Sequence, residues 1–192
     1  MAEAAPRRVV VGISGASGIP YAKDLLETLR RPGGVEVHLV ATEGAKRVAA
    51  DELGVPLDEL AALADVVHTN RDIGASIASG SFRTIGMVVV PCSATTLSKI
   101  ACGVCDNLLT RAAYVHLKER RPLVLVPREA PLPLPTLEAM VKAAQAGATI
   151  LPASPGFYAR PATIDDLLGF VTQRILDHLG IEADRSPRWK ES

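Results

Sequence analysis

The sequence predicts an α/β protein on a mainly parallel sheet, and three observations carry that prediction. Short Val/Ile/Leu-rich runs alternate with longer segments of helical period. The runs are continuous in apolar character, as strands covered on both faces are, and each is followed within a few residues by Gly, Ser, Thr or Pro. The strand runs are Val9–Ile13, Val35–Ala41, Met87–Val90, Leu123–Val126 and Thr149–Leu151, which gives five βα units. The helix after the last run is marked by Ile164, Leu167, Leu168, Val171, Ile175 and Leu179 at i, i+3, i+4, i+7 spacing, with Thr163 and Asp166 placed to cap its start. Leu137, Met140, Val141 and Ala144 predict a second stripe that ends before Gly147. Each stripe reads as core packing. Ala4–Arg8 and Glu182–Ser192 read as loose ends.

The chain has 192 residues, a length for one domain with a substantial core. Apolar residues make up 48% and charged residues 22%, a globular composition. Twenty-one Lys+Arg against 21 Asp+Glu removes the net positive field on which non-specific nucleic-acid binding relies. The longest strongly apolar stretch, around Met87–Val90, is far short of a membrane helix, and Met1–Arg8 has no apolar signal-peptide core, so the expected compartment is the cytoplasm. Three cysteines, an odd number, do not suggest a disulfide framework.

An open parallel sheet binds ligands beyond the carboxyl ends of its strands, so the loops there carry the functional reading. After the first strand comes Gly12-Ile13-Ser14-Gly15-Ala16-Ser17-Gly18, where glycines let backbone amides approach an anion and the next helix adds its positive end. The glycine spacing departs from G-x-G-x-x-G, and Thr42 stands where a nicotinamide site places a carboxylate. A mononucleotide phosphate fits this loop better than a dinucleotide. Pro91-Cys92-Ser93-Ala94-Thr95-Thr96 follows the third strand run, and its hydroxyls, with Ser14, Ser17 and Thr42, offer neutral donors for a phosphate and a ribityl chain. Capping by Ser93 or Thr95 is the competing role. Arg111 and Lys118 share a helix face with Tyr114, and Arg128 and Glu129 follow the fourth run, a cationic set suited to a second phosphate that departs as an anion. Arg120 and Arg121 read as a solvated face. Cys102-Gly-Val-Cys105 lacks the second pair a zinc site needs, and His38, His68, His116 and His178 show no ligand spacing.

Five segments resemble the flavin prenyltransferase family, UbiX/Pad-type proteins within the flavin-containing Cys-decarboxylase fold group. They are Val11–Gly18, Met87–Ser93, Asp106–Ala113, Leu117–Pro131 and Gly156–Tyr158, in family order over roughly residues 9–181. The resemblance implies a Rossmann-like three-layer α/β/α sandwich, with residues 1–182 as one FMN-binding domain and 183–192 as a tail packing on a neighbouring subunit. It implies a metal-independent enzyme that joins a dimethylallyl group from dimethylallyl phosphate to N5 and C6 of reduced FMN. The products would be prenylated FMN, the cofactor of UbiD-type decarboxylases, and phosphate.

By the same resemblance FMN lies on Gly15, Ala16, Ser17, Thr42, Ser93, Ala94, Thr95, Thr96 and Arg128. The substrate phosphate lies on Arg111, Lys118, Arg128, Glu129, Tyr158 and Arg174, with Ser17, Glu129 and Lys118 as the catalytic residues and Glu52 as a further acidic family position. Some of these would come from neighbours in a homo-oligomer, often a dodecamer, and Trp189 belongs to a tail that orders against a neighbour. Tyr114 stands where the family usually has Asp, Thr42-Glu43-Gly44 replaces a common Ser-Lys-Ala, and Leu132–Pro135 is proline-rich. An FMN-dependent decarboxylase of a cysteine-containing substrate is the main alternative. A flavin-binding subunit without turnover is the non-enzymatic one.

Overall fold

The computed structural model describes residues 7–30 and 34–188. Among these residues six strands form one wholly parallel sheet: β1 (Arg8–Ile13), β2 (Glu36–Ala41), β3 (Val66–His68), β4 (Gly86–Cys92), β5 (Leu123–Pro127) and β6 (Thr149–Ile150), in the order β3-β2-β1-β4-β5-β6. The five predicted runs are all strands. The sixth, β3, is a three-residue edge strand whose Val67 is 57% exposed, so it carries no continuous apolar run to announce it. Arg8, expected in a loose end, opens β1 and pairs with Glu36.

Among the described residues seven helices cover the sheet: α1 (Ile19–Leu29), α2 (Glu43–Leu53), α3 (Leu57–Ala61), α4 (Ala94–Ala101), α5 (Leu108–Lys118), α6 (Leu134–Gln145) and α7 (Ile164–Leu179). Val9, Val11 and Ile13 of β1 face a core shared with α1, α2 and α7, while Val10 faces a second core with α4, α5 and α6. Alternate residues of one strand thus feed opposite layers, which is why the strands read as unbroken apolar runs. The three-layer α/β/α sandwich is the expected fold.

Helix α7 starts as the sequence predicts. Thr163 Oγ1 accepts the Asp166 N–H at 3.1 Å while Asp166 accepts the Thr163 N–H at 2.9 Å. Its stripe is buried from Val171 onward, although Ile164 is 73% exposed. The α6 stripe is corrected. Thr136, Ala139 and Ala143 face inward, with Met140 partly buried, whereas Leu137, Val141 and Ala144 point outward. Small residues let α6 lie close on α4, and the larger apolar residues take the opposite side.

His38 is structural, as expected. Its Nε2 donates to Glu36 Oε1 at 2.7 Å, and in the neutral ring Nδ1 then accepts from His68 Nε2 at 2.9 Å.

Candidate functional site

The strand order reverses between β1 and β4, so the loops after these strands flank the crevice where open parallel sheets bind ligands. Ser14 fastens one loop to the other. Buried, it donates through Oγ to Pro91 O at 2.9 Å and accepts the Ser93 N–H at 2.7 Å. It therefore drops out of the expected ligand-facing hydroxyls. The β1 and β2 loops also meet backbone to backbone, since a Cβ on Gly15 would lie 2.9 Å from Gly44 Cα.

Gly18 begins α1 at φ +113° and offers no side chain to cap it. Glu52 of α2 supplies the cap: its carboxylate accepts the Gly18 N–H at 2.9 Å and the Ile19 N–H at 2.8 Å. This corrects the expectation that the helix's positive end receives a ligand phosphate. No local pattern marks this cap, because Glu52 is more than 30 residues away.

Thr42 and Ser93 cap α2 and α4, accepting the Ala45 N–H at 3.3 Å and the Thr96 N–H at 3.2 Å. Ser93 Oγ also donates to Thr96 Oγ1 at 3.0 Å, Thr96 is buried, Ala94 is half-buried and Thr95 is exposed. The capping role anticipated for Ser93 is real. A capping hydroxyl accepts through one lone pair and retains another for a ligand.

From the end of β5, Arg128 reaches across β4 and donates through Nε to Ser17 O at 3.0 Å. It thereby links the candidate cationic set to the β1 loop, with exposed Glu129 beside it. Pro127 O accepts the Ala153 N–H at 3.1 Å, so the segment leading to Tyr158 starts alongside Arg128. The Tyr158 ring packs edge-on against Phe170 of α7, with centroids 5.7 Å apart, and Arg174 stands one turn further on.

Lys118 is not brought to this edge. It ends α5 just before the first residue of β5, while Arg128 follows the last, and those five strand residues span about 16 Å. Its ammonium pairs with Glu119 at 2.5 Å. Arg111 is exposed in the first turn of α5, on the face that Tyr114 and Lys118 share. Arg121, expected on a solvated face, instead holds the loop before β4, donating to the carbonyl oxygens of Gly80 and, at 2.7 Å, Phe82.

Burial pushes the Cys92 thiol far above its ordinary pKa, which makes it inert. Cys102 and Cys105 carry free thiols, and no group of three or more metal-ligating side chains occurs among the described residues. Close glycine backbone, neutral hydroxyls on three loops and one guanidinium suit a flavin mononucleotide, whose phosphate and ribityl chain need such partners. The residues present fit FMN.

The Flavoprotein family profile matches residues 2–176. The flavin prenyltransferase UbiX of Deinococcus radiodurans is 57% identical over 190 residues, covering 99% of this chain and 97% of that protein. The structure of AnUbiX (PadA1) in complex with FMN and dimethylallyl pyrophosphate superposes with a TM-score of 0.94 at 42% identity, covering 98% of this chain and all of that one. A dodecameric FMN-dependent UbiX-like decarboxylase from Escherichia coli O157:H7 gives 0.92 at 45% identity, covering 95% and 99%. The peptidyl-cysteine decarboxylase EpiD, at 18% identity and 0.63, shares the fold alone. The chain belongs to the flavoprotein family and, within it, to the UbiX flavin prenyltransferases.

Proposed function

We propose that this chain transfers the dimethylallyl group of dimethylallyl phosphate to reduced FMN, giving prenylated FMN and phosphate, with residues 1–182 as the FMN-binding domain. The observation that carries this reading is the meeting of the β1, β2, β4 and β5 loops at the switch point, with Arg128 bonded to Ser17 across it. Reduced FMN, when bound, supplies the two nucleophilic positions, N5 and C6, that end bonded to the five-carbon unit. The chain's residues do the rest. Gly15, Ala16, Ser17, Thr42 and the Ser93–Thr96 turn hold and orient the flavin. Arg128, Tyr158 and Arg174 stabilise the charge that grows on the departing phosphate. Glu129 and Ser17 take up and return the protons released as the new bonds form.

Lys118 and Arg111 lie on one exposed α5 face, and Lys118 is separated from Arg128 of its own chain by the length of β5. We assign them to the site of a neighbouring copy in a homo-oligomer, with the dodecamer of the E. coli relative as the expected assembly. The product is destined for a UbiD-type decarboxylase. Free cysteines support a reducing, cytoplasmic setting, and among the described residues no helix is long and apolar enough to cross a membrane.

Anaerobic incubation with reduced FMN and dimethylallyl phosphate, then mass spectrometry of the released flavin, tests the reading. A product heavier by one C5H8 unit, with phosphate released, is expected; recovery of unmodified FMN alone overturns it. Glu129→Gln is expected to slow product formation at least tenfold while FMN still binds. A normal rate would remove Glu129 from proton transfer.

A further inference from the structure

Helix α6 carries more apolar surface than its own chain covers. Thr136, Ala139 and Ala143 are turned inward on the side that meets α4, while Leu134, Leu137 and Val141 are 42–65% exposed and Ala144 is exposed beside them. These four recur at i, i+3, i+7 and i+10, the spacing of a helix face that packs, yet the face points outward. The stripe is symmetric along the helix: Leu137 and Val141 stand two residues either side of Ala139, and Leu134 and Ala144 five residues either side. Glu138 and Lys142, both exposed and one turn apart, edge the stripe on the same side. That edge continues beyond the helix. Lys142 Nζ donates to Cys102 Sγ at 3.7 Å, and the 102–105 turn it touches carries the exposed Val104 and, against Gly103, the exposed Tyr114 ring of α5.

From this pattern we propose that the outer face of α6 is a two-fold interface between copies of this chain, packed antiparallel on the α6 of a second copy. A two-fold axis crossing the helix beside Ala139 sets Leu137 against the partner's Val141 and Leu134 against the partner's Ala144, a longer side chain against a shorter one each time. The same rotation brings each Glu138 within two residues, about 3 Å of helical rise, of the partner's Lys142 on the same side of the seam. A parallel two-fold would leave the two charged edges on opposite sides of the seam, unpaired. One surface that complements itself in both size and charge is what an isologous contact requires, and a different partner would not impose it. A single helix face is small beside the roughly 800 Å² per partner of a stable interface. The rotation also carries the two 102–105 turns to one side of the seam, where Val104 and Tyr114 widen it up to the α5 face of Arg111 and Lys118. The contact is independent of the reaction at the carboxyl edge of the sheet.

Sedimentation velocity of the full-length protein over a dilution series tests the contact, with variants at exposed positions of α6. Val141→Arg puts a charge into the stripe and is expected to weaken association about tenfold, with fewer copies per particle and an unchanged helical circular-dichroism signal. Glu138→Lys and Lys142→Glu each set like charges against each other across the axis and should weaken association by roughly threefold. An equimolar mixture of these two should restore it, because the mixed pair again sets opposite charges across the seam. Mixing cannot rescue a residue that acts only within its own chain. Unchanged association in Val141→Arg and in both charge variants overturns the proposal and leaves the stripe to another partner, as does a wild type that stays monomeric at every dilution. Should Val141→Arg fail to fold, the charge variants decide: rescue by mixing supports the contact, and its absence overturns it. A wild type that associates as expected but makes no prenylated FMN overturns the prenyl-transfer reading and leaves the α6 contact supported.

Discussion

The β1 loop and the strap after α7 both border the proposed site, yet they are held in opposite ways. The loop, Ser14–Gly18, is fixed by contacts of backbone with neutral or capping groups: Ser14 to Pro91 and Ser93, Gly15 against Gly44, and Glu52 over the first amides of α1. The strap, 182–188, is fixed by side-chain charge: Arg185 to Asp24 and Asp165, and Arg188 to Asp177. A surface that must admit an anion through close backbone approach is best built from glycines and small hydroxyls. A segment without helix or strand hydrogen bonds of its own is held by ion pairs from its arginines to carboxylates on the helices. The difference teaches that the two sides should respond differently to charge removal, acid and added bulk.

The largest expected effect is on the strap. Asp24 is 6% exposed and holds Arg185 and the Thr172 hydroxyl, which donates at 2.5 Å. Arg185→Ala strands this carboxylate, and urea unfolding should show a loss of about 3 kcal/mol. FMN affinity should change little, and a large fall in it would break the distinction between the regions.

Acid should loosen the molecule in sequence. Burial lowers His116 to about 4; its Nδ1 donates to Ala112 O and Nε2 accepts from Thr84 at 2.8 Å. Because its folded value lies below the unfolded one near 6.5, the unfolded state binds more protons between them. Stability is thus complete above about pH 6.5 and falls toward pH 4, by about 3 kcal/mol at most. Burial pushes the Asp177 carboxyl up, but hydrogen bonds from Arg188 and Gln173 outweigh it and hold it below the usual range. Its contribution is present above about pH 4 and lost below. Hydrogen exchange against pH should show the loop before β4 loosening first and the strap only at lower pH.

Gly15→Ala makes the opposite case. With Gly44 backbone at 2.9 Å, the added methyl must push the β1 and β2 loops apart, so FMN affinity should fall about tenfold, roughly 1.4 kcal/mol, with the strap intact. Fluorescence titration of FMN checks this. The smallest effect is expected for Glu52→Gln, which keeps an acceptor for the α1 amides but removes the charge, at about 0.5–1 kcal/mol in urea unfolding.

Much of the fold and part of the site lay open in the chain itself, for a reason of range. Strands buried on both faces must be apolar throughout, so β1, β2, β4 and β5 announced themselves; of the two short, half-buried edge strands, β6 was marked by the run Thr149–Leu151 and β3 carried no such run. Thr163 with Asp166, and Ser93 with Thr96, act across three residues, a span in which residue type nearly dictates geometry. The glycine and hydroxyl loops pointed to a mononucleotide because their position after strands follows from chain order alone.

What only the tertiary structure decided involves partners far apart in sequence or faces chosen by packing. Glu52 takes the α1 amides that seemed reserved for a ligand, because folding sets α2 beside the start of α1. Arg185 finds Asp24 across 161 positions. Helix α6 turns its small residues inward because α4 lies close, a choice its own periodicity cannot make. Lys118 and Arg128, ten residues apart, are parted by the length of β5 because the strand between them runs extended through the sheet. Local chemistry fixes which conformations each segment prefers, but only the closed fold settles which of its charged and apolar groups find partners.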